Sequence, residues 1–366
     1  MGDIPDKINT WQMVEPGNPK ENKPGRLEKT QIPMPEIKEG EVLVKIAGCG
    51  VCHTDLGYFY DGVPTVTKPP LTLGHEISGT IVAGDEAWIG KEVIIPAVMP
   101  CNKCDICKAG RGNRCLNQKM PGNSLGIYGG FSDYIVVPYK DLCVVKDRGE
   151  FALEELSVIA DAATTPYQAA VRAELKEGDL VVVLGVTGGV GQYMAQEAKA
   201  MGAKVVVGIA RNEEKLKRAL DYGVDFTINS RGKTAKEVQK EFRAFCKENG
   251  YPTNVWWKIF ECTGTKPGQE IALALLGFVG KLIVVGFGMA SVEYNISRLM
   301  AFDAEIIGTW GCLPKYYPIV LDMVLTKKIH IKPFVEVRPM SQIAEVFDEV
   351  HKAGSPAKRI VLTPDF

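Results

Sequence analysis

The sequence predicts an α/β fold in which a doubly wound parallel-sheet domain is inserted into a β-rich domain. Three observations predict it. Near-continuous apolar runs alternate with helical stretches from about 178 to 288, residues before about 155 are rich in Gly and Pro, and four cysteines lie within fifteen residues. Apolar strands alternating with helices are typical of a parallel sheet covered on both faces.

The individual elements follow the same division. Short β-branched runs at 42–46 and 134–137 predict strands of the β-rich domain. The inserted domain begins with a strand at 180–184, a glycine turn and a helix to residue 201, followed by a strand at 204–208 and a helix from 213. Later strands are predicted at 255–260, 281–285 and 359–362.

Length supports two domains. At 366 residues the chain has room for two units of about 150 residues and a large core. We expect residues 1–162 to form the β-rich domain, 163–305 the parallel-sheet domain, and 306–366 a return to the first domain.

Charge and composition exclude several classes of protein. The 43 Lys and Arg almost balance the 44 Asp and Glu, which argues against a nucleic-acid partner. The longest charge-free apolar stretch, 180–196, is broken by glycines and is too short to span a membrane. The start at 1–7 lacks the pattern of a secretory signal. We therefore expect a cytoplasmic protein, whose clustered cysteines bind metal rather than form disulfides.

The four clustered cysteines have metal-ligand spacing. Cys101, Cys104, Cys107 and Cys115 form the pattern C-x2-C-x2-C-x7-C, within a lobe at about 96–118. Four thiolates close a tetrahedral zinc site that has no open position, as in structural zinc. An iron–sulfur cluster is the alternative, because it also uses closely spaced cysteines.

A second group of metal-ligating residues lies nearer the start. Cys52-His53-Thr54-Asp55 and Gly74-His75-Glu76 bring together a thiol, two imidazoles and two carboxylates, and hold two of the four histidines of the chain. A catalytic zinc takes three protein ligands and leaves a fourth position for water or substrate.

These motifs, in this order with the glycine turn, resemble the zinc-dependent alcohol dehydrogenases of the medium-chain dehydrogenase/reductase family. The resemblance covers essentially the whole chain and implies a GroES-like catalytic domain with a structural zinc lobe and a Rossmann-type cofactor domain. It implies Cys52 and His75 as catalytic zinc ligands, the Cys2His ligand type that is a standard example for this family. Asp55 would orient the ring of His75, and Glu76 would be an alternative ligand or a neighbouring carboxylate.

The third ligand is inferred from the same resemblance. Many family members carry a cysteine six residues before the tyrosine of a Thr-x-Tyr segment, and here Asp161 stands at that distance from Tyr167. Aspartate at this place is similar to the bacterial secondary alcohol dehydrogenases, so Asp161 is expected to complete the set. A helix N-cap or a solvated carboxylate is the alternative role for it.

The glycine turn predicts a dinucleotide site. It comprises Gly185, Gly188, Gly189, Val190 and Gly191 between a strand and a helix, and departs from strict G-x-G-x-x-G by one residue. Such a turn lets a pyrophosphate approach the helix N-terminus. Ala210 stands where an acidic residue would bind the ribose of NAD, and Arg211 follows, a pair that suits NADP. Arg211 stacked on the adenine would permit both cofactors; the resemblance favours NAD, with NADP open.

The resemblance also suggests a substrate. Residues 10–13 and 57–76 are similar to family members that oxidise the ring alcohol of an acyl-CoA thioester in anaerobic aromatic degradation. Ala97 stands where the family often has a bulky aromatic residue, which leaves room for a ring.

The resemblance also implies a proton relay, in which Thr54 would take the hydroxyl proton. Gly57 replaces the histidine that often ends this relay in the family, so His53, solvent or another group would complete it.

Alternative functions remain at this point. They are a general secondary alcohol dehydrogenase, an enoyl-thioester or quinone reductase of the same superfamily, and a zinc-stabilised binding protein. A homo-oligomer, dimer or tetramer, is expected from the family alone.

Overall fold

The computed structural model describes residues 4–354 and 357–366, and their contacts divide the chain into two units. The first unit runs to Thr164 and takes up Gly311–Leu325 and Ile331–Phe366. The second unit comprises Thr165–Trp310 and Thr326–His330. Residues 1–3, which begin the segment analysed above for a secretory signal, lie outside the described residues.

The first unit is mainly antiparallel β-structure. Its strands are β1 (Lys7–Glu15), β2 (Arg26–Pro33), β3 (Glu41–Gly50), β4 (Leu71–Thr72), β5 (Glu76–Gly84), β6 (Glu92–Ile95), β7 (Tyr134–Pro138) and β8 (Cys143–Val145), with two more strands near the end of the chain. Two short helices, α1 (His53–Phe59) and α2 (Asp105–Lys108), lie between these strands, and a 3-10 segment spans Glu154–Ala160.

The second unit is a parallel sheet with helices between its strands. In chain order it contains α3 (Thr164–Arg172), β9 (Leu180–Leu184), α4 (Gly191–Ala200), β10 (Val205–Ala210), α5 (Glu213–Leu220), β11 (Phe226–Asn229), α6 (Ala235–Glu248), β12 (Trp257–Glu261), α7 (Lys266–Leu275), β13 (Lys281–Val284), α8 (Ser297–Phe302) and β14 (Glu305–Gly308). The order in the sheet is β11-β10-β9-β12-β13-β14, and every neighbouring pair is parallel.

The central strands explain why this sheet is covered on both faces. All residues of β9, β10 and β12 are buried, so no side of these strands faces solvent. From β9 the chain adds β10 and β11 on one side, then crosses back and adds β12, β13 and β14 on the other side, so the strand order reverses beside β9. Together with the antiparallel first unit, this confirms the predicted fold class.

The end of the second unit differs from the expected boundary at 305/306. Residues 305–308 form β14, which pairs with β13 in the parallel sheet, and the unit continues to Trp310. Residues 326–330 also belong to it. β14 was not predicted because Glu-Ile-Ile-Gly is short and has too few apolar residues to give a clear strand pattern.

The chain then returns to the first unit. It forms α9 (Tyr317–Leu325), β15 (Val335–Pro339), α10 (Ile343–Ala353) and β16 (Arg359–Thr363). The larger sheet of this unit has the order β15-β16-β3-β5-β6-β8, with β7 also paired to β3; β2-β1-β4 form a smaller sheet. Because β16 pairs antiparallel with the end of β3, the last strand is placed beside the segment that leads into Cys52. No helix among the described residues is long and apolar enough to cross a membrane.

Candidate zinc and cofactor sites

The four-cysteine lobe brings its sulfur atoms together. Cys104 Sγ lies 3.5 Å from Cys107 Sγ and 3.7 Å from Cys115 Sγ, and Cys101 Sγ lies 3.9 Å from Cys107 Sγ. A tetrahedron with zinc–sulfur bonds of about 2.3 Å has edges of about 3.8 Å. The sulfurs are therefore spaced as zinc ligands, and too far apart for a disulfide bond.

Local structure around Cys101 and Cys115 supplies donors to sulfur, whereas burial raises the pKa of Cys107 to about 12. Cys104 precedes α2, and the backbone N–H groups of Cys101 and Asn117 both point to Cys115 Sγ, at 3.5 and 3.3 Å. Backbone hydrogen bonds from Lys103 and Cys104 lower the pKa of Cys101 to about 6. Such N–H donors stabilise the charged sulfur that binds zinc.

The second metal group gathers residues from three parts of the chain. Cys52 caps the N-terminus of α1, His75 lies immediately before β5, Glu76 is the first residue of β5, and Asp161 follows the 3-10 segment. One ligand atom from each of the four residues lies within 4.8 Å of the others. The structure therefore assembles all four predicted residues in one place.

The geometry of this group suits an open metal site. Asp161 Oδ2 lies 3.7 Å from both Cys52 Sγ and His75 Nε2. The side chain of His75 is 2% exposed, whereas that of Asp161 is 17% exposed. The group is thus buried on one side and accessible beside Asp161, as a catalytic zinc with a position for substrate requires.

Asp55 fixes two of the ligands at once. One carboxylate oxygen accepts a hydrogen bond from the Cys52 backbone N–H and the other accepts one from Gly74 N–H, both at 3.0 Å. The second oxygen also lies 3.4 Å from His75 Nδ1. Asp55 would take its predicted orienting role through this contact, with His75 Nε2 on the side of the metal group.

The charges around His75 show that the site is suited to a cation. Burial lowers the pKa of His75, but Asp55, Asp161 and Cys52 together raise it well above its usual value. A buried ring surrounded by carboxylates and a thiol requires a positive charge, which a proton or a divalent ion can supply. A zinc ion held by Cys52, His75 and Asp161 would meet this requirement.

Arg359 was not found from the sequence. This residue is buried and its guanidinium donates to Glu76 Oε1 at 2.5 Å. Burial raises the pKa of Glu76 to about 7, with the nearby Arg359 acting in the opposite direction. Glu76 Oε2 has no hydrogen-bond partner among the described residues, and it lies against Gly50, where a side chain would collide with it. Only the pairing of β16 with β3 brings Arg359 here.

Thr54 and His53 differ in their relation to the metal group. Thr54 Oγ1 lies 3.7 Å from Cys52 Sγ and is partly exposed, so it lies beside the open site. His53 Nε2 lies 2.8 Å from the carbonyl oxygen of Gly354. Because a carbonyl oxygen only accepts, Nε2 donates to it, and Nδ1 is the ring nitrogen left for a proton relay.

The glycine turn has the predicted strand–turn–helix context. Gly185 follows β9 with φ of +74°, a conformation that favours glycine, and Gly188 N–H bonds to its carbonyl at 2.8 Å. Val190 caps α4, which begins at Gly191, and a side chain at 191 would collide with the Gly185 carbonyl. Gly189 completes the turn, which leaves the helix N-terminus accessible to a pyrophosphate.

A second arginine joins Arg211 at the end of β10. Arg211 is exposed, and its carbonyl accepts a hydrogen bond from Arg231 Nε at 3.0 Å. Arg231 follows β11, and the register pairs Ala210 with Asn229, so the residues after these strands lie side by side. The sequence analysis missed Arg231 because it is twenty residues away and its place depends on strand pairing.

Ala97 lies two residues after β6, which ends at Ile95. It is 3% exposed, and its backbone N–H donates to the hydroxyl of Tyr317 at 3.0 Å. Its contribution to a substrate pocket remains a prediction.

Comparisons with known proteins agree with both domains. The "Alcohol dehydrogenase GroES-like domain" family matches residues 38–147, and the "Zinc-binding dehydrogenase" family matches residues 189–326. An alcohol dehydrogenase of Geobacillus stearothermophilus is 32% identical over 346 residues, covering 93% of this chain and 96% of that protein. The chain belongs to the zinc-type medium-chain alcohol dehydrogenase family.

A further relative agrees with this family, and a solved structure agrees with the fold. An NAD-dependent alcohol dehydrogenase of Sulfolobus acidocaldarius is 28% identical, covering 92% of this chain and 96% of that protein. The crystal structure of galactitol-1-phosphate dehydrogenase from Escherichia coli has a TM-score of 0.83 and 24% identity, covering 97% of this chain and all of that chain. The protein is a zinc- and NAD(P)-dependent oxidoreductase of the alcohol dehydrogenase type, which acts on a CH–OH group of a small molecule.

Proposed function

We propose that this dehydrogenase oxidises 6-hydroxycyclohex-1-ene-1-carbonyl-CoA to the 6-oxo compound with NAD+, in anaerobic degradation of benzoyl-CoA. The observation that carries the proposal is the resemblance of residues 10–13 and 57–76 to 6-hydroxycyclohex-1-ene-1-carbonyl-CoA dehydrogenase. An acyl-CoA thioester is therefore the proposed substrate.

The position of these two stretches supports the proposal. Residues 57–76 connect Cys52 to His75 through α1 and β4, so they follow the path between two zinc ligands. Residues 10–13 lie in β1, where Gln12 and Met13 pair with Thr72 and Leu71 of β4. The stretches that resemble this dehydrogenase are thus neighbours in the fold and lead directly to the metal group.

The proposed mechanism assigns each residue a task. Zinc held by Cys52, His75 and Asp161 would act as a Lewis acid that lowers the pKa of the substrate hydroxyl. Thr54 would accept the hydroxyl proton, and bound NAD+ would supply the acceptor for the hydride of the carbinol carbon. Asp55 keeps the ring of His75 oriented through this step. Because Gly57 replaces the histidine that often ends this relay in the family, His53, solvent or another group would complete it.

The decisive experiment compares substrates. The purified enzyme with NAD+ should oxidise the cyclic hydroxyacyl-CoA with a kcat/KM at least 100-fold above that for cyclohexanol, 2-propanol and sorbitol. If the simple alcohols or the polyol are oxidised as well as the thioester, the CoA proposal fails and a general secondary alcohol dehydrogenase remains. Omission of the CoA moiety, with the free cyclic hydroxy acid as substrate, separates recognition of the ring from recognition of CoA.

Two rival functions have specific discriminators. A zinc-free enoyl or quinone reductase has no need for the ligand set that Cys52, His75 and Asp161 form here. A zinc-stabilised binding protein has no need for the open side at Asp161, and should show no turnover with any alcohol in the panel. Measurable NAD+ reduction with intact zinc therefore excludes the binding protein.

The cofactor proposal needs its own test. NAD is proposed from the resemblance, although Arg211 and Arg231 together provide two guanidinium groups that suit a 2′-phosphate. We expect kcat/KM to be higher with NAD+ than with NADP+. In an Arg211→Ser variant, kcat/KM with NADP+ should fall more than kcat/KM with NAD+. A large preference of the wild type for NADP+ would overturn the assignment of NAD as the cofactor.

We further propose a homo-oligomer built on β14. This strand is an edge of the parallel sheet, and Ile306 is 39% exposed on it, with Met300 and Met289 of the same unit more exposed still. β15, an edge of the other sheet, carries Glu336, Arg338 and Pro339, which discourage pairing; β14 has only Glu305 as a charge. A second copy of the chain would cover β14.

Sedimentation velocity tests the oligomer. The wild-type protein should sediment as a dimer or tetramer, and Ile306→Lys should shift it toward smaller species. Val337→Lys is the matched control, because Val337 is 41% exposed on the edge strand β15. A monomeric wild type, or an equal effect of both variants, contradicts β14 as the interface.

We also propose that the protein is located in the cytoplasm. The structure shows all ten cysteines free of disulfides, five of them in the two metal groups. Such usage is typical of a reducing compartment.

A further inference from the structure

The turn that carries Asp161 lies outside regular structure. It follows the 3-10 segment Glu154–Ala160, and Asp161 has φ of −143° and ψ of −54°, which belong to neither helix nor strand. The next helix, α3, begins only at Thr164. The turn therefore lacks the continuous hydrogen-bond ladder that a helix or sheet provides, and other groups must hold it.

Tyr317 supplies such a group from a distant part of the chain. Its hydroxyl donates to the carbonyl oxygen of Ala160 at 2.6 Å, immediately before Asp161. The same hydroxyl accepts a hydrogen bond from the backbone N–H of Ala97 at 3.0 Å. These two partners are 157 and 220 residues away from Tyr317 in sequence. One hydroxyl thus connects the segment after β6, the turn of Asp161 and the start of α9.

Burial makes both hydrogen bonds costly to lose. Tyr317 and Ala160 are 0% exposed, and Ala97 is 3% exposed. Water cannot readily replace the hydroxyl, so its removal would leave a buried carbonyl and a buried N–H without this partner. Thr164 Oγ1 also donates to the Ala160 carbonyl, at 3.3 Å, and provides a weaker second contact.

We propose that Tyr317 is a positioning residue for the catalytic metal: its hydroxyl fixes the Ala160–Asp161 peptide and so the direction in which Asp161 presents its carboxylate. Tyr317 acts through Asp161 and does not touch the metal or the substrate. The inference rests on the zinc-dependent function, because it requires Asp161 to be a ligand. Groups that orient a metal ligand typically change metal affinity or activity by 10–100-fold when removed.

The test measures metal binding in Tyr317→Phe, which keeps the ring and removes only the hydroxyl. The catalytic zinc should be lost to a competing chelator at a 10–100-fold lower chelator concentration than in the wild type, while the zinc of the four-cysteine lobe is retained. With Co2+ at the catalytic site, the d–d absorption bands of the variant should shift, because the carboxylate changes its geometry. A role in packing alone would leave that spectrum unchanged.

Tyr193→Phe is the matched control, since Tyr193 is also 0% exposed but lies in the second unit. It should leave the affinity and spectrum of the catalytic metal unchanged. If Tyr317→Phe does not fold, Thr164→Val removes the weaker donor to the same carbonyl and should shift the metal affinity in the same direction by a few-fold. Unchanged metal affinity in the variant that folds overturns the inference.

A double-mutant cycle shows whether the effect passes through Asp161. In an Asp161→Asn background, Tyr317→Phe should cause little further loss of Co2+ affinity, because the directed carboxylate is already absent. An undiminished effect in that background overturns the positioning role. A wild-type protein that binds metal only at the four-cysteine lobe would instead refute the zinc-dependent function itself, so the two failures are distinguishable.

Discussion

Asp55 illustrates how single residues prepare the metal site. One oxygen accepts a hydrogen bond from the backbone N–H of Cys52. The other accepts one from the N–H of Gly74, the residue before His75, and also faces His75 Nδ1. All of these atoms are buried, so their positions are fixed by the protein before any metal binds. Asp161 differs from these residues, because its carboxylate is partly exposed.

Asp161→Ala should remove one of the two zinc ions. The variant loses a charged ligand from a site that has only three, whereas the four-cysteine lobe keeps its closed set. Metal analysis by ICP-MS should give about one zinc per chain instead of two, with NAD+-dependent turnover lost. The control Asp147→Ala changes an exposed aspartate and should keep both ions. Two tightly held ions in Asp161→Ala would show that Asp161 is not a ligand.

Thr54→Val should lower kcat by about 100-fold or more while both zinc ions stay bound. The substitution keeps the shape of the side chain but removes the hydroxyl beside Cys52, and positioned proton transfer typically contributes 10²–10⁴-fold. Steady-state kinetics and metal analysis check both parts. Thr80→Val, a half-buried threonine of β5, should retain normal kcat. Near-normal turnover in Thr54→Val would refute its part in the relay.

At the scale of elements, α4 combines cofactor binding with an unusual buried acid. Its N-terminus follows the glycine turn, and Gln196 on the same helix accepts a hydrogen bond from His330 N–H at 2.7 Å. The next residue, Glu197, is 0% exposed, and neither carboxylate oxygen has a hydrogen-bond partner among the described residues. Burial raises the pKa of Glu197 well above its usual value, so the folded protein holds this proton to a higher pH than the unfolded chain does.

Glu197→Gln should make the free energy of unfolding less sensitive to pH. Below the ordinary glutamate pKa of 4.5 both states of the wild type are protonated, and Glu197 has no effect on pH dependence. As pH rises above it, the unfolded state releases a proton that the folded state keeps, so stability falls by up to about 1.4 kcal/mol per pH unit until the folded pKa is reached.

Denaturant unfolding at pH 5 and pH 8 measures this dependence. The Gln variant should gain stability relative to the wild type at pH 8 and show a smaller difference at pH 5. Glu214→Gln on α5 serves as control, because Glu214 is exposed and should leave the pH dependence as it is in the wild type. Equal pH dependence in wild type and Glu197→Gln would contradict the buried-acid explanation.

At the scale of the whole molecule, the first unit is assembled from three parts of the chain. The strand β16 returns from the C-terminal part to pair with β3, and α9 brings Tyr317 to the Asp161 turn. The two metal groups within this unit differ in kind: the lobe uses four residues within one short segment, and the open site uses residues from three segments. This difference predicts how the metals are released.

Chelation should remove the two zinc ions in separate phases. With 1,10-phenanthroline, the open site should lose its zinc first and activity should fall with it, while the circular dichroism spectrum is retained. The closed lobe has no free coordination position, so its zinc should leave later, together with loss of local structure. Metal content measured over time checks this order. A single phase for both ions, with activity and structure lost together, would contradict the assignment of an open and a closed site.

Local spacing explains what sequence reasoning could predict. The cysteine lobe, the Cys52–Asp55 segment and the glycine turn each lie within about fifteen residues, so chain connectivity alone keeps their groups close. The alternation of apolar strands with helices also predicted the parallel sheet, because fully buried strands need a nearly continuous apolar sequence. Asp161 was found only through the resemblance to the family, since nothing in its local sequence marks it as a ligand.

By itself, the sequence determined the fold class, the closed zinc lobe and the strand–turn–helix of the cofactor site, because these depend on periodicity and on neighbours in the chain. Only the tertiary structure decided that Arg359 pairs with Glu76, that Arg231 joins Arg211, and that β14 belongs to the parallel sheet. It also decided that Tyr317 bonds to the Asp161 turn. Each of these contacts depends on packing between distant segments, whose partners are set by how strands and helices assemble and not by any local pattern of residues.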